Sequence, residues 1–367
     1  MQDRGSMKIP WAKPYIGRSE LEEVKACFDR SWLSMGQKVE ELEEFASGIV
    51  GSSYGVAVNS GTAALDIALK LIGVGPGDEV IVPALAYIAT ANAVLYQQAR
   101  PVFADIDEKS YCICPKSVEH NITDKTKAVI AIDYAGQAPD YNALRDVLGK
   151  RGIFLIEDGA PGLGGSYRGK PLCSRGDVSI TSFHMAKIFT SVEGGMLFTD
   201  KQQWDAVARM IRSQGEDPSL KYHHPVLGHN YRMSDIYAAI GLEQLKRFDA
   251  VLNKRAVLAQ HYSQGLSSLN SMVLPRVLDG NKHAWFLYPV LVSDRDKIAA
   301  LLKAEGIETN ISWPMPVYEQ KIYKQYFKEE CSVAKRITQT VLCLPIYYEM
   351  TEDEQDYVID TLVSLLR

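Results

Sequence analysis

Short apolar runs and stretches of helical periodicity alternate through the first two thirds of the chain. The apolar runs are "YGVAVNSG", "DEVIVPAL", "RPVFADID", "KAVIAIDYAG" and "IFLIEDGA"; the periodic stretches include "TAALDIALKLIG", "YIATANAVLYQQ" and "YNALRDVLGKRG". This β-α-β-α rhythm predicts a mostly parallel sheet flanked by helices on both faces. "SITSFH" and "GGMLFTD" follow each other too closely for a helical crossover, which predicts neighbouring antiparallel strands. From about Leu245 the pattern changes to one long helix over "LEQLKRFDAVLNKRAVLAQHYSQGLSSL", then a strand, "WFLYPVLV", and two amphipathic helices. The expected division is a large domain over residues 8–248 and a smaller C-terminal α+β domain over 249–367. No internal repeat or low-complexity segment interrupts it.

Composition supports a folded chain and removes some function classes. With 367 residues, 46% of them hydrophobic, the chain can bury a sizeable core. A net charge of −5 lacks the basic footprint that nucleic-acid binding needs, so none is expected. Six cysteines are too sparse for a disulfide scaffold, and Cys112 and Cys114 are too close in sequence for metal-ligand spacing, so reduced thiols are expected. No apolar run approaches the roughly 18 residues of a membrane span. "MQDRGSMKIPW" lacks the apolar centre of a signal peptide, and the expectation is a soluble, cytoplasmic protein. Met7 is read as the natural start, with residues 1–6 outside the fold.

Three stretches carry candidate chemistry. In "VAVNSGTAALDIAL" a strand ends in Asn59-Ser60-Gly61-Thr62 and a helix begins, so free backbone amides and a hydroxyl gather where the helix dipole favours an anion. The arrangement is a phosphate cup or an ordinary capped helix; it matches neither the dinucleotide fingerprint nor the Walker loop. In "GIFLIEDGAPG" an apolar strand ends in Glu157-Asp158, at the edge where α/β sheets place ligand chemistry and where helix caps and buried ion pairs also occur. In "TSFHMAKIFTSVEGG", Lys187 sits in a loop between two strands, either snorkelling to solvent or buried with a lowered pKa and a nucleophilic amine. Their order, with Tyr87 after the cup, matches what pyridoxal 5′-phosphate requires. Those requirements are an anion site, an aromatic to stack on the ring, a carboxylate for the ring nitrogen and an amine for a Schiff base.

On these stretches, and on "GHNYRMSDIYAAIGLEQL", the sequence resembles the DegT/DnrJ/EryC1/StrS sugar aminotransferases over nearly its whole length, and within them the GDP-perosamine synthase-like 4-aminotransferases. The resemblance implies the pyridoxal-phosphate-dependent transferase fold type I, aspartate aminotransferase-like. It makes Lys187 and Asp158 the catalytic pair, and Gly61, Thr62, Tyr87, Asp158, Ser182, Lys187 and Asn230 the cofactor contacts, with Asn230 reaching the neighbouring subunit's site in a homodimer. It implies L-glutamate as amino donor and a nucleotide-linked 4-keto-6-deoxyhexose as acceptor, in deoxyamino-sugar biosynthesis such as that of lipopolysaccharide O-antigen. Glutamine-dependent aminocyclitol transamination and a non-catalytic regulator are the rivals. A dehydratase of the same family carries histidine in place of the lysine, so Lys187 argues against that reaction. Two positions depart from the family pattern. Pro161 stands where a hydrogen-bonding side chain is common, and Val192 replaces a glycine, with a tolerated packing change expected. His184, Trp313 and Tyr318 are candidates for substrate contacts or for plain packing. His223, His224 and His229 have no metal-site spacing, and no metal is expected.

Overall fold

The computed structural model describes residues 7–149 and 151–366; the reading of residues 1–6 lies outside them. Its strands, in chain order, are β1 (Tyr54–Val58), β2 (Glu79–Pro83), β3 (Arg100–Ala104), β4 (Thr126–Ile132), β5 (Phe154–Asp158), β6 (Ser166–Tyr167), β7 (Lys170–Pro171), β8 (Val178–Ser182), β9 (Gly195–Thr199), β10 (Met272–Val273), β11 (Asn281–Lys282), β12 (Tyr288–Val292) and β13 (Val341–Leu344). Seven form one sheet in the order β1-β9-β8-β5-β4-β2-β3. The pairs from β8 through β3 are parallel, and β9 runs antiparallel to both β1 and β8. The antiparallel neighbours read from the Lys187 region are therefore β8 and β9. Helices cover both faces, so "VIVP", "VIAI" and "LIED" are buried on both sides, as a parallel sheet demands.

Crossovers deliver the carboxyl ends of β1, β4, β5 and β8 to one edge, where open α/β sheets bind ligands. β9 makes this possible at close range. A Cβ on Gly195 would sit 2.5 Å from the Gly61 amide nitrogen, so only glycine lets the strand approach the loop after β1.

β10, β12 and β13 form a separate antiparallel sheet with its own apolar core, which includes Tyr262, Tyr288, Leu302 and Val358. The single long helix expected from Leu245 is instead two, Asp235–Lys246 and Phe248–Gly265, broken at Arg247 (φ −100°, ψ 16°). Arg247 leaves helical geometry, which continuous apolar spacing could not reveal. We propose that the large and small domains meet at this break. Ile9 crosses that division: it bridges Ile307 and packs in the small-domain core. No helix among the described residues is long and apolar enough to cross a membrane.

Candidate active site

The sheet edge opens into a cavity of about 450 Å³ whose lining includes Gly61, Thr62, Tyr87, Asp158, Ser182 and Lys187, a size suited to a cofactor and small substrate. Six of the seven residues singled out in the sequence thus meet in one place, although they span more than a hundred positions of the chain.

The cup is built as its sequence implies. Ser60 caps the helix Gly61–Leu71, its hydroxyl accepting from the Ala63 amide at 3.1 Å. The amides of Gly61 and Thr62 have no acceptor among the described residues, and the Ser182 side chain packs within 3.0 Å of where a Gly61 Cβ would stand. The Ser182 hydroxyl accepts from the His184 amide at 3.3 Å and keeps its own hydrogen to donate. Two free amides, two hydroxyls and a helix N-terminus fit a phosphate dianion.

Of the two acids ending β5, only Asp158 serves the cavity. Successive strand residues face opposite ways, and Glu157 turns from it to accept from the amides of Cys173 (2.7 Å) and Arg175 (2.6 Å) and the Ser179 hydroxyl (2.5 Å). Asp158 accepts from the Ala160 amide at 3.2 Å and the Thr90 hydroxyl at 3.0 Å. Burial raises its pKa, while the Ala160 amide, the Lys187 charge and the Thr90 hydroxyl pull the other way. A buried carboxylate without a cation in contact suits a protonated pyridine nitrogen.

Lys187 projects into the same space, its amine 4.5 Å from the centre of the Phe286 ring. It has no acid within ion-pair distance, and burial pushes its pKa down from 10.5 to about 8, partly offset by Asp158. Because the folded pKa lies below the unfolded one, the charged amine costs stability in full below about pH 8. That cost is relieved as pH rises from about 8 toward 10.5. The nucleophilic neutral form grows over the acid side of the same midpoint. Capture of pyridoxal phosphate by cofactor-free protein is expected to accelerate about tenfold per pH unit below 8 and to level off above it; stopped-flow absorbance between pH 6 and 9.5 measures this. A rate still climbing at pH 9.5 would show an unperturbed lysine.

The remaining candidates divide. Trp313 lines the cavity, 6.2 Å from Tyr87 and 6.0 Å from Tyr134 between ring centres. Tyr318 is buried in the core against Phe103 and Phe327. His184 faces the cavity and lies 3.7 Å from Glu193. Pro161 is buried in the wall, and Asn310 and Ser312 bring polar groups to that cavity from the far side. Asn230 is exposed and lines no part of its own chain's cavity; its carbonyl accepts from the Asn59 side chain at 3.4 Å. His223 lies 3.9 Å from Asp217, and His229 stacks on Tyr231; no described His, Cys, Asp or Glu group is arranged to hold a metal. The expectation for Val192 needs correcting. Its φ is +72°, a left-handed conformation that is strained for a β-branched residue, so the exchange for glycine alters the backbone beside Glu193 and not only packing. Thr90 was missed, because a threonine inside a helical stretch carries no motif.

A model of the DegT/DnrJ/EryC1/StrS aminotransferase family matches residues 14–363. The chain is 36% identical to the GDP-perosamine synthase of Caulobacter vibrioides, with 98% of each chain covered. It is 34% identical to the spore coat polysaccharide biosynthesis protein SpsC of Bacillus subtilis, covering 98% of this chain and 97% of that protein. Among solved structures, S. venezuelae DesV in complex with a ketimine intermediate superposes with a TM-score of 0.93 at 30% identity over 99% of both chains. The pyridoxal-phosphate form of the sugar aminotransferase Spr1654 of Streptococcus pneumoniae does so with a TM-score of 0.92 at 28% identity, over 98% of both.

Proposed function

Since the chain belongs to the DegT/DnrJ/EryC1/StrS aminotransferase family and is a pyridoxal-phosphate-dependent sugar aminotransferase, we propose that it carries an amino group from L-glutamate to the C4 ketone of a nucleotide-linked 4-keto-6-deoxyhexose. The observation that carries this reading is the convergence of the cup, Asp158 and Lys187 on one cavity. Likeness to a GDP-perosamine synthase supports the acceptor, and the aromatic wall of Tyr87, Tyr134 and Trp313 suits the apolar face of a pyranose.

Bound, pyridoxal phosphate supplies the aldehyde that carries the amino group and the ring that takes up electrons. In this reading Gly61, Thr62 and Ser182 hold the phosphate, Tyr87 covers the ring, and Asp158 keeps the ring nitrogen protonated. Lys187 anchors the aldehyde through its amine and, once released, moves a proton at the carbon that gains or loses nitrogen. The test is mass spectrometry of a panel of keto nucleotide sugars incubated with protein and L-glutamate. The expected product has the ketone oxygen replaced by an amine, with 2-oxoglutarate formed in equal amount. Amination of a cyclitol ketone by glutamine alone, or of nothing in the panel, would overturn the assignment.

The same reading makes the protein a cytoplasmic homodimer in which Asn230 serves the neighbouring site. Exposed large apolar side chains at Leu21, Phe28, Trp32 and Leu33, and at Leu220, Tyr222 and Leu227, support an interface. Mixed dimers of Lys187→Ala and Asn230→Ala chains check the sharing. A crossed site leaves one site of each mixed dimer intact, so random equal mixing should restore about a quarter of all sites. Activity no higher than the average of the two parents, with subunit exchange verified by tagging, would return Asn230 to its own chain.

A further inference from the structure

A second, narrower crevice runs behind the Lys187 loop, at the junction of the N-terminal segment with the two domains. Its lining includes Trp11, Lys187, Arg255, Phe286 and Tyr347, and it shares Ala186, Lys187, Phe286 and Leu287 with the main cavity. Two of its groups have hydrogen-bonding capacity that nothing in the protein uses. Arg255, on the helix Phe248–Gly265, is 6% exposed and has no acid paired with it among the described residues. Its Nε donates to the Trp285 carbonyl at 2.7 Å and its Nη2 to the Phe286 carbonyl at 2.9 Å, which leaves Nη1 unspent. Tyr347 is 3% exposed, and its hydroxyl has no hydrogen-bond partner. Burial and the nearby Glu354 push the pKa of this phenol up, so it remains a donor.

A buried guanidinium keeps its charge and is costly without an anion. The crevice's other polar groups do not supply one. Lys13 is paired with Glu349 at 2.8 Å, and the Gln244 amide donates to the Tyr15 carbonyl at 2.6 Å. The free volume of about 30 Å³ admits a carboxylate-sized group and excludes a sugar ring. Only one residue separates this site from the reacting amine. Arg255 holds the Phe286 carbonyl, and the Phe286 ring lies 4.5 Å from the Lys187 amine.

We propose that this crevice seats the α-carboxylate of the amino donor, with Arg255 as its cation and Tyr347 as its second hydrogen-bond donor. The proposal rests on the reading of L-glutamate as donor. In an α-amino acid the carboxylate is attached to the carbon that bears the transferred nitrogen. A site for it one residue from Lys187 therefore orients that carbon toward the amine, while the sugar occupies the wider cavity.

The experiment measures the two half-reactions separately on pyridoxal-phosphate-loaded and pyridoxamine-phosphate-loaded protein, for wild type, Arg255→Met, Arg255→Lys and Tyr347→Phe. The concentration of L-glutamate giving half the maximal bleaching rate should rise about 10- to 100-fold in Arg255→Met, and about fivefold in Tyr347→Phe. Half-saturation by the keto sugar in the return half-reaction should stay as in wild type. A general distortion of the Phe286 segment would move both. Calorimetry on cofactor-free protein gives a readout independent of turnover: glutarate should bind wild type and fail to bind Arg255→Met. Should Arg255→Met not fold, Arg255→Lys and Tyr347→Phe decide, and unchanged glutamate saturation in both overturns the proposal. Wild type that takes no nitrogen from glutamate overturns the donor reading and this site with it. Wild type that reacts while Arg255→Met saturates equally well overturns this site alone.

Discussion

Lys187→Ala is expected to lower transamination by about 10³-fold or more while leaving the fold intact. Proton transfer by a positioned side chain alone contributes about 10²- to 10⁴-fold, and Lys187 has no understudy. Among the described residues no other lysine lines the cavity, and the neighbouring base, His184, is exposed and turned toward Glu193. The fold should not suffer, because the amine makes no ion pair and its desolvation opposes folding below about pH 8. Cofactor-free Lys187→Ala should therefore unfold at a temperature no lower than wild type at pH 7. Two measurements check the role. Single-turnover absorbance with L-glutamate reports the rate, and borohydride reduction followed by peptide mass spectrometry reports whether the cofactor is attached at residue 187. A variant within tenfold of wild type, or cofactor attached elsewhere in the wild-type chain, would remove Lys187 from the chemistry.

Much of this site could be read from sequence because its parts end regular elements. Asp158 closes an apolar strand, the cup opens a helix, and Lys187 lies between two strands too close for a crossover, so local pattern locates each without knowledge of the fold. What escaped depends on contacts between distant segments. Thr90 donates to Asp158 across 68 positions, and Arg255 and Tyr347 reach one crevice from opposite sides of the small-domain core. Trp313 and Tyr318 stand in one aromatic, proline-rich stretch with nothing to tell them apart. The chain reverses between them, placing one on the cavity and the other against Phe103. Val192 was misjudged because sequence shows an exchanged side chain and not the positive φ beneath it.

Asp158→Asn is expected to bind cofactor and to transaminate about 10²-fold more slowly, or worse. Asparagine retains the shape of the site. Its carbonyl oxygen can accept from the Ala160 amide, and its amide can face the Thr90 hydroxyl oxygen, so neither neighbour is stranded. The negative charge is what disappears, in a place where burial makes charge count. Preorganised charge opposite a developing charge commonly contributes a few kcal/mol to a transition state, or roughly 10²- to 10³-fold in rate. The next acids cannot replace it. Glu157 is committed to the Cys173 and Arg175 amides on the other side of the strand. Asp133 has its pKa raised well above the ordinary value, by burial and then by the charge of Glu157, which favours its neutral form. Thr90→Val supplies the control, because it removes one hydrogen bond to Asp158 and keeps the charge; its cost should be nearer tenfold. Single-turnover rates with saturating L-glutamate rank the two variants. If Thr90→Val were as slow as Asp158→Asn, positioning of the carboxylate and not its charge would be the controlling feature, and if both stayed near wild type the carboxylate would have no part in the reaction.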